Sequence, residues 1–208
     1  MNTKKYNEQQ SFWAGGFGDE YIDRNQGQIR VANNTRLFAK ILARTGGINT
    51  VLEFGANVGV NLMALKNILP NSDLLGVEIN ENAFAELKKI PGIKAYLSSI
   101  ESFEPAQQVD LAFTKTVLIH INPASLNVVY DKLYSSSKRY VLLAEYYNPT
   151  PVEVQYRGHS GKLFKRDFAG EMLERHQDLQ LIDYGFVYRG DSYFHDDVTW
   201  FLMEKTTA

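Results

Sequence analysis

The sequence predicts an α/β fold on a mostly parallel sheet with a crevice for a nucleoside, and three observations predict it. An apolar run, Val51 to Phe54, enters a glycine-bearing turn, Gly55 to Gly59, and then a helical pattern of Leu62, Leu65, Ile68 and Leu69. A second apolar run, Asp73 to Asn80, carries an acid near its end, Glu78, nineteen positions beyond Gly59. Helix-like and strand-like stretches then alternate to the end of the chain, as strands joined by crossover helices require.

Gly55 and Gly59 let the backbone turn sharply and approach a ligand with no Cβ in the way. A dinucleotide fingerprint, G-x-G-x-x-G, fails here at two of its three glycines, where Asn57 and Val60 stand. The run Glu53-Phe54-Gly55-Ala56-Asn57-Val58-Gly59 instead resembles motif I of the class I methyltransferases that use S-adenosyl-L-methionine, an acid followed by G-x-G-x-G. Only the middle glycine departs, and Asn57 is the residue type that best tolerates positive φ after glycine. The resemblance implies cofactor contacts from Glu53, Gly55, Ala56, Asn57 and Gly59, with Glu53 near the amino-acid moiety. Glu78, with Ile79 beside it, is placed to accept both ribose hydroxyl protons and to repel a 2′-phosphate.

Length and composition bound this reading. At 208 residues the chain suits one α/β domain, with residues 1–45 as an N-terminal lid and helical elaboration. The net charge is −2 without long runs of like charge, which argues against a nucleic-acid partner. With no cysteine there is neither a disulfide nor a thiolate site, and the histidines at 120, 159, 176 and 195 lack metal-ligand spacing, so no metal is expected. The opening MNTKKYNEQQ has no apolar signal region and no run approaches about 18 apolar residues, so a cytoplasmic enzyme without a membrane span is expected. Oligomeric state is left open.

After Glu78, Asn80 caps a short helix carrying Phe84 and Leu87, and Pro91-Gly92 ends it before a strand over Ile93 to Leu97. Ser98, Ser99 and Ile100 leave that strand where methyltransferases rest the adenine. A plain strand exit is the alternative. The strand Val109 to Thr114 leads through Lys115 into VLIHI and then Asn122-Pro123, a cap and first turn for a helix striped by Leu126, Val129, Tyr130 and Leu133. Within that loop His120 has the ordinary pKa, about 6.5, of a general base, and is equally read as a buried packing residue. Lys115 divides between cofactor contact and solvent.

A strand from Arg139 to Glu145 exits into Tyr146, Tyr147 and Asn148, an expected substrate wall, although Asn148-Pro149 also reads simply as a turn. The stretch Tyr156 to Asp167 carries Arg157, Lys162, Lys165 and Arg166 against Asp167, a local +3 with His159 neutral. So basic a loop is placed to clamp an acceptor's carboxylate or phosphate through Arg157, His159 and Lys162, or it is solvated. Asp167 caps a helix through His176, and strands near 178–188 and 198–204 complete the chain. The N-terminal run FWAGGFGDEYIDRN fits neither helix nor strand and reads as a lid, with Trp13 and Tyr21 over the cofactor. From Gln28 the chain turns helical, with Leu37, Phe38, Ile41 and Leu42 on one face.

Taken together, FWAGGFGDEYIDRN, VLEFGANVG, TKTVLIHINP, AEYYNPTPVEVQYRGH, KLFKRDFAGEML and DYGFVYRGDSYFHDDVTWFLMEK resemble the methyltransferases associated with pseudaminic acid biosynthesis, class I enzymes of bacterial surface-glycan gene sets. The resemblance implies a Rossmann-like class I methyltransferase fold, a seven-stranded mostly parallel sheet with an antiparallel last strand and helices on both faces. It also implies methyl transfer from S-adenosyl-L-methionine to a sugar or sugar nucleotide, leaving S-adenosyl-L-homocysteine. The basic loop agrees with an acidic nonulosonate. A base is needed only if the acceptor must lose a proton; His120 is preferred, then Glu145, with Tyr146 or Tyr147 as a positioning hydroxyl. An NAD-dependent sugar oxidoreductase or epimerase shares the strand, turn and ribose acid, but neither its third glycine nor a convincing Tyr-x-x-x-Lys pair is present. A non-catalytic cofactor-binding scaffold is the other alternative.

Overall fold

The computed structural model describes residues 6–24, 27–193 and 196–206. Asn25 of the aromatic run and His195 therefore lie outside the described residues. The strands are β1 (Thr50–Phe54), β2 (Asp73–Glu78), β3 (Ile93–Leu97), β4 (Val109–Lys115), β5 (Ser137–Glu145), a short pair β6 (Val152–Glu153) and β7 (Phe164–Lys165), then β8 (Leu179–Val187) and β9 (Val198–Lys205). The helices are α1 (Glu8–Ala14), α2 (Gly16–Arg24), α3 (Gln28–Ile41), α4 (Val60–Ile68), α5 (Glu81–Leu87), α6 (Leu126–Ser136) and α7 (Phe168–Arg175).

Seven strands form one sheet in the order β3-β2-β1-β4-β5-β9-β8, with β9 alone running against its neighbours. Val51, Leu52 and Phe54 of β1 and Leu111, Ala112 and Phe113 of β4 are wholly buried, because helices cover both faces of these central strands. Leu37, Phe38 and Ile41 of α3 pack with Leu62 and Leu65 of α4 on one face. Val129, Tyr130 and Leu133 of α6 pack with Phe168 and Met172 of α7 on the other. The chain winds outward from β1 to β3, then returns to lay β4 on the other side of β1. That reversal opens a crevice at the carboxyl ends of β1 and β4, where open α/β sheets hold their ligands.

Local signals hold at several helix starts. Asn80 Oδ1 accepts from Ala83 N at 2.9 Å, and Asp167 Oδ1 accepts from Gly170 N at 2.8 Å. Asn122 Oδ1 accepts from Ala124 N at 2.9 Å, but it opens a 3-10 turn, Pro123–Ser125, and α6 begins only at Leu126.

The N-terminal aromatic run corrects the sequence expectation, for it is helical. Asn7 and Gln10 form a reciprocal capping box at α1, with Gln10 N to Asn7 Oδ1 at 2.8 Å and Asn7 N to Gln10 Oε1 at 2.9 Å. Trp13, Phe17 and Tyr21 recur every fourth residue, which is helical spacing; the intervening glycines hid it. Gly18 is a packing glycine, since a Cβ there would stand 2.0 Å from the Trp13 carbonyl oxygen.

Candidate active site

The turn after β1 is shaped by left-handed backbone at Gly55 (φ 74°), Asn57 (φ 48°) and Gly59 (φ 80°). A Cβ at Gly55 would lie 2.5 Å from Val117 Cγ2, so glycine here lets the β4 loop close onto the turn. A Cβ at Gly59 would meet Ile90 and Leu87 at 2.6 and 2.7 Å, so this residue packs the helix entry on α5 and does not line the cavity. Asn57 takes the strained position the missing glycine would have held. Its amide donates to Glu78 Oε2 at 2.7 Å.

Glu78 organises the crevice. Oε1 accepts from the amides of Ile79 and Asn80, both at 2.8 Å. Burial raises its pKa, and the three amide donors act the other way. Glu78, Ile79, Gly55, Ala56 and Asn57 line one stretch of the cavity, and Ser98, Ser99 and Ile100 line its β3 end. The two serine hydroxyls are spent locally, Ser98 Oγ on Ser99 O at 3.0 Å and Ser99 Oγ on Ser102 Oγ at 3.1 Å. Lys115, His120, Trp13 and Tyr21 also line it.

Glu53 lies beneath the turn, outside the cavity wall. Its Oε1 accepts from Asn61 Nδ2 at 2.6 Å, tying β1 to the first turn of α4, and burial pushes its pKa up to about 8. The folded protein thus keeps a proton that the unfolded chain loses near the ordinary 4.5, so stability falls as pH rises between those values, by at most about 1.4 kcal/mol per pH unit. Glu53→Gln keeps the Asn61 contact without the titration. Its melting temperature in the ligand-free protein is expected to gain on the wild type between about pH 5 and pH 8; a gap that stays constant across that range removes the buried titration from the account.

His120 is buried between Trp13 and Tyr156, with ring centroids at 4.5 and 5.0 Å. Its Nδ1 is 2.7 Å from the carbonyl oxygen of Lys162, which assigns the proton to Nδ1 and leaves Nε2 as the acceptor nitrogen. Burial lowers the pKa to about 4, so the ring is neutral at physiological pH.

Glu145 does not line the cavity. Its Oε1 accepts from the amides of Val117 and Leu118, both at 3.1 Å, and so braces the loop that carries His120; burial raises its pKa to about 7. The expected substrate wall is likewise displaced. Tyr147 is exposed against Phe201, and Asn148 Nδ2 donates to Thr150 O at 2.6 Å within a turn. Tyr146 is partly buried beneath the Lys165 ammonium, which lies 5.6 Å from its ring centroid.

The basic loop folds onto the N-terminal helices and does not present a cationic clamp. Arg157 (φ 49°) and Gly158 (φ 85°) form a tight hairpin tip closed by Tyr156 and His159. His159 packs on Phe12 and Phe17, with centroids at 5.1 and 5.7 Å. Lys162 is buried in an ion pair with Glu8 at 2.5 Å, and Arg166 pairs with Glu171 at 2.6 Å. Gln9 Nε2 donates to Gly161 O at 3.1 Å. On the other side Asn80 Nδ2 donates to Trp13 O at 3.2 Å and to Asp19 Oδ1 at 2.9 Å. The helices α1 and α2 thus span the crevice, bound at both rims.

Arg30 and Asn34, one turn apart on α3, also line the cavity and were not singled out by sequence; their spacing reads there only as a helix. Among the described residues, Trp13 Nε1, Asn34 Oδ1, Asn57 Oδ1 and Glu53 Oε2 are buried without hydrogen-bond partners. Four such atoms in and under one cavity are what a missing polar ligand leaves. The two amide oxygens and the Glu78 carboxyl suit ligand hydroxyls and an ammonium, Arg30 suits a carboxylate, and Ile79, Ile100 and Val117 supply apolar walls for a base. The set fits an amino-acid nucleoside such as S-adenosylmethionine. Tyr134 and Lys138 have the Tyr-x-x-x-Lys spacing of a sugar oxidoreductase, but Tyr134 bonds Asp178 at 2.5 Å and Lys138 pairs with Asp110 at 2.8 Å, and neither lines the cavity.

No family model matches the chain, and no curated protein does. Solved structures do. Magnesium protoporphyrin IX methyltransferase from Synechocystis, with S-adenosylmethionine bound, superposes with a TM-score of 0.68 at 13% identity, over 98% of this chain and 100% of that one. The 1,6-didemethyltoxoflavin-N1-methyltransferase of Burkholderia thailandensis, with its substrate and S-adenosylhomocysteine bound, gives 0.70 at 13% identity over 95% and 87%. A glycopeptide N-methyltransferase gives 0.66 at 14% identity over 90% and 100%. The chain therefore has the Rossmann-like fold of the S-adenosylmethionine-dependent class I methyltransferases.

Proposed function

We propose that the protein is a methyltransferase that uses S-adenosyl-L-methionine and acts on a small acidic sugar or sugar nucleotide of the nonulosonate type, in bacterial surface-glycan biosynthesis. The observation that carries the first part is the crevice at the β1/β4 reversal, where Glu78 is held by three amides and the cavity's unpaired polar atoms match an amino-acid nucleoside. The sugar acceptor is supported by the resemblance of the terminal runs and by the aromatic walls of Trp13 and Tyr21, suited to the apolar face of a sugar ring.

When bound, the cofactor supplies an activated methyl group on a sulfonium leaving group, so the protein's task is chiefly alignment and exclusion of water. Trp13 and Tyr21 on the lid helices close the cavity above, and Glu78 fixes the nucleoside end. His120 Nε2, unprotonated and beside the cavity, accepts the acceptor's proton as the new bond forms. Glu145 sets the loop that holds it.

Mass spectrometry of an acid-sugar panel incubated with cofactor is expected to show one hydrogen replaced by a methyl group in at least one sugar. Cofactor binding without turnover of any sugar contradicts the proposal and points to a scaffold. His120→Ala is expected to lower kcat by about 100-fold or more with little change in S-adenosylhomocysteine affinity. Any acid limb of wild-type activity due to His120 falls near pH 4, where the ring protonates, and not at the ordinary 6.5; wild-type turnover by the alanine variant removes it as base.

A further inference from the structure

The order of the sheet places the acceptor. Along its carboxyl edge, Ser98 to Ile100 follow β3, Glu78 ends β2, Gly55 follows β1, Lys115 ends β4 and Tyr146 follows β5. On the methyltransferase reading, adenine, ribose and methionine occupy the β3, β2 and β1 positions, so the acceptor approaches over β4 and β5.

A lysine stands there. Lys115 is only partly exposed, it lines the cavity, and among the described residues no hydrogen bond or ion pair reaches its ammonium. Burial lowers its pKa, Arg30 on α3 adds to that, and Glu53, Asp196 and Glu145 act the other way. Immediately after it Thr116, a β-branched residue, is held at φ 56° by its amide donating to Ala144 O at 2.9 Å. Strain of this kind persists where surrounding structure fixes a functional geometry. The cations that the sequence offered for an anion are otherwise engaged, Lys162 with Glu8 and Arg166 with Glu171, while Arg157 and Lys165 lie over tyrosine rings outside the cavity wall.

We propose that Lys115 is the acceptor's anion-binding residue, taking the carboxylate of an acidic small molecule, while Arg30 and Asn34 on α3 face the cofactor's methionine end. The basic hairpin is then the seat of the lid, and acid recognition lies at the end of β4. This inference rests on the methyltransferase reading, and its test separates the two.

The test uses the full chain with N-acetylneuraminate, its cytidine monophosphate conjugate and glucuronate, each beside its methyl ester, with S-adenosylhomocysteine affinity measured in parallel. At least one acid is expected to be methylated in preference to its ester. Lys115→Met is expected to raise that acid's KM by about tenfold or more, with S-adenosylhomocysteine affinity within about threefold of wild type, and Lys115→Arg to recover part of the loss. If Lys115→Met loses affinity for S-adenosylhomocysteine and leaves the acceptor KM alone, Lys115 serves the cofactor and the inference is overturned while the methyltransferase reading stands. Acid and ester used equally, or no acid used, also overturns it. Failure of the wild type to bind S-adenosylhomocysteine sinks the reading beneath it.

Discussion

Glu78→Ala is expected to weaken S-adenosylhomocysteine binding by at least about tenfold, roughly 1.4 kcal/mol, in calorimetry of the full chain. The loss has two sources. On the proposed reading the ribose loses its carboxyl acceptor, and the amides of Asn57, Ile79 and Asn80 lose the oxygens that hold the turn after β1 and the start of α5 in one geometry. Each buried amide left without a partner costs about 1–3 kcal/mol, so the free protein rearranges before it binds. Glu78→Gln separates these sources. It retains one acceptor oxygen and much of the shape, so it should fall between wild type and alanine. Equal binding by Glu78→Ala would remove Glu78 from the cofactor site.

Gly18→Ala is expected to cost at least about tenfold in the same affinity, against the direction of helix propensity, which favours alanine by roughly 1 kcal/mol. The added Cβ would stand 2.0 Å from the Trp13 carbonyl and 2.8 Å from Asn80 Nδ2. Neither neighbour yields freely, because Asn80 caps α5 and donates to Trp13 O and Asp19. The junction of α1 and α2 must lift, and Trp13 with Tyr21 lifts with it. Gly16→Ala is the control, since nothing lies within 4 Å of a Cβ there; it should bind like the wild type. If Gly18→Ala also binds like the wild type, seating of these helices does not govern the cofactor and the lid proposal fails.

What was legible in the sequence was local. The strand Val51 to Phe54, the left-handed positions 55, 57 and 59, the acid Glu78 and the caps at Asn80, Asn122 and Asp167 each announce themselves within a few residues, because backbone sterics and capping act at that range. The antiparallel β9 came from a resemblance and agrees with the observed sheet. The basic stretch misled because its partners lie far away in sequence: Glu8 for Lys162, Gln9 for Gly161, Phe12 and Phe17 for His159. Charge counted along the chain says nothing of charge neutralised across it. The same distance hid the role of Glu145, whose partners Val117 and Leu118 stand on the neighbouring strand's loop, and of Arg30 and Asn34, whose face on α3 becomes a cavity wall only once β1 and β4 lie behind it. The N-terminal helices were legible in principle, since Trp13, Phe17 and Tyr21 keep a four-residue spacing. Three glycines among them drew attention to flexibility, whereas at Gly18 the glycine permits close packing.

The central claim is that the β1/β4 crevice binds S-adenosylmethionine and not a nicotinamide dinucleotide. Calorimetric titration of the protein with S-adenosylhomocysteine and, separately, with NAD tests it most directly. Saturable micromolar binding of S-adenosylhomocysteine, with none of NAD, is the predicted result; binding of NAD without S-adenosylhomocysteine would contradict the account.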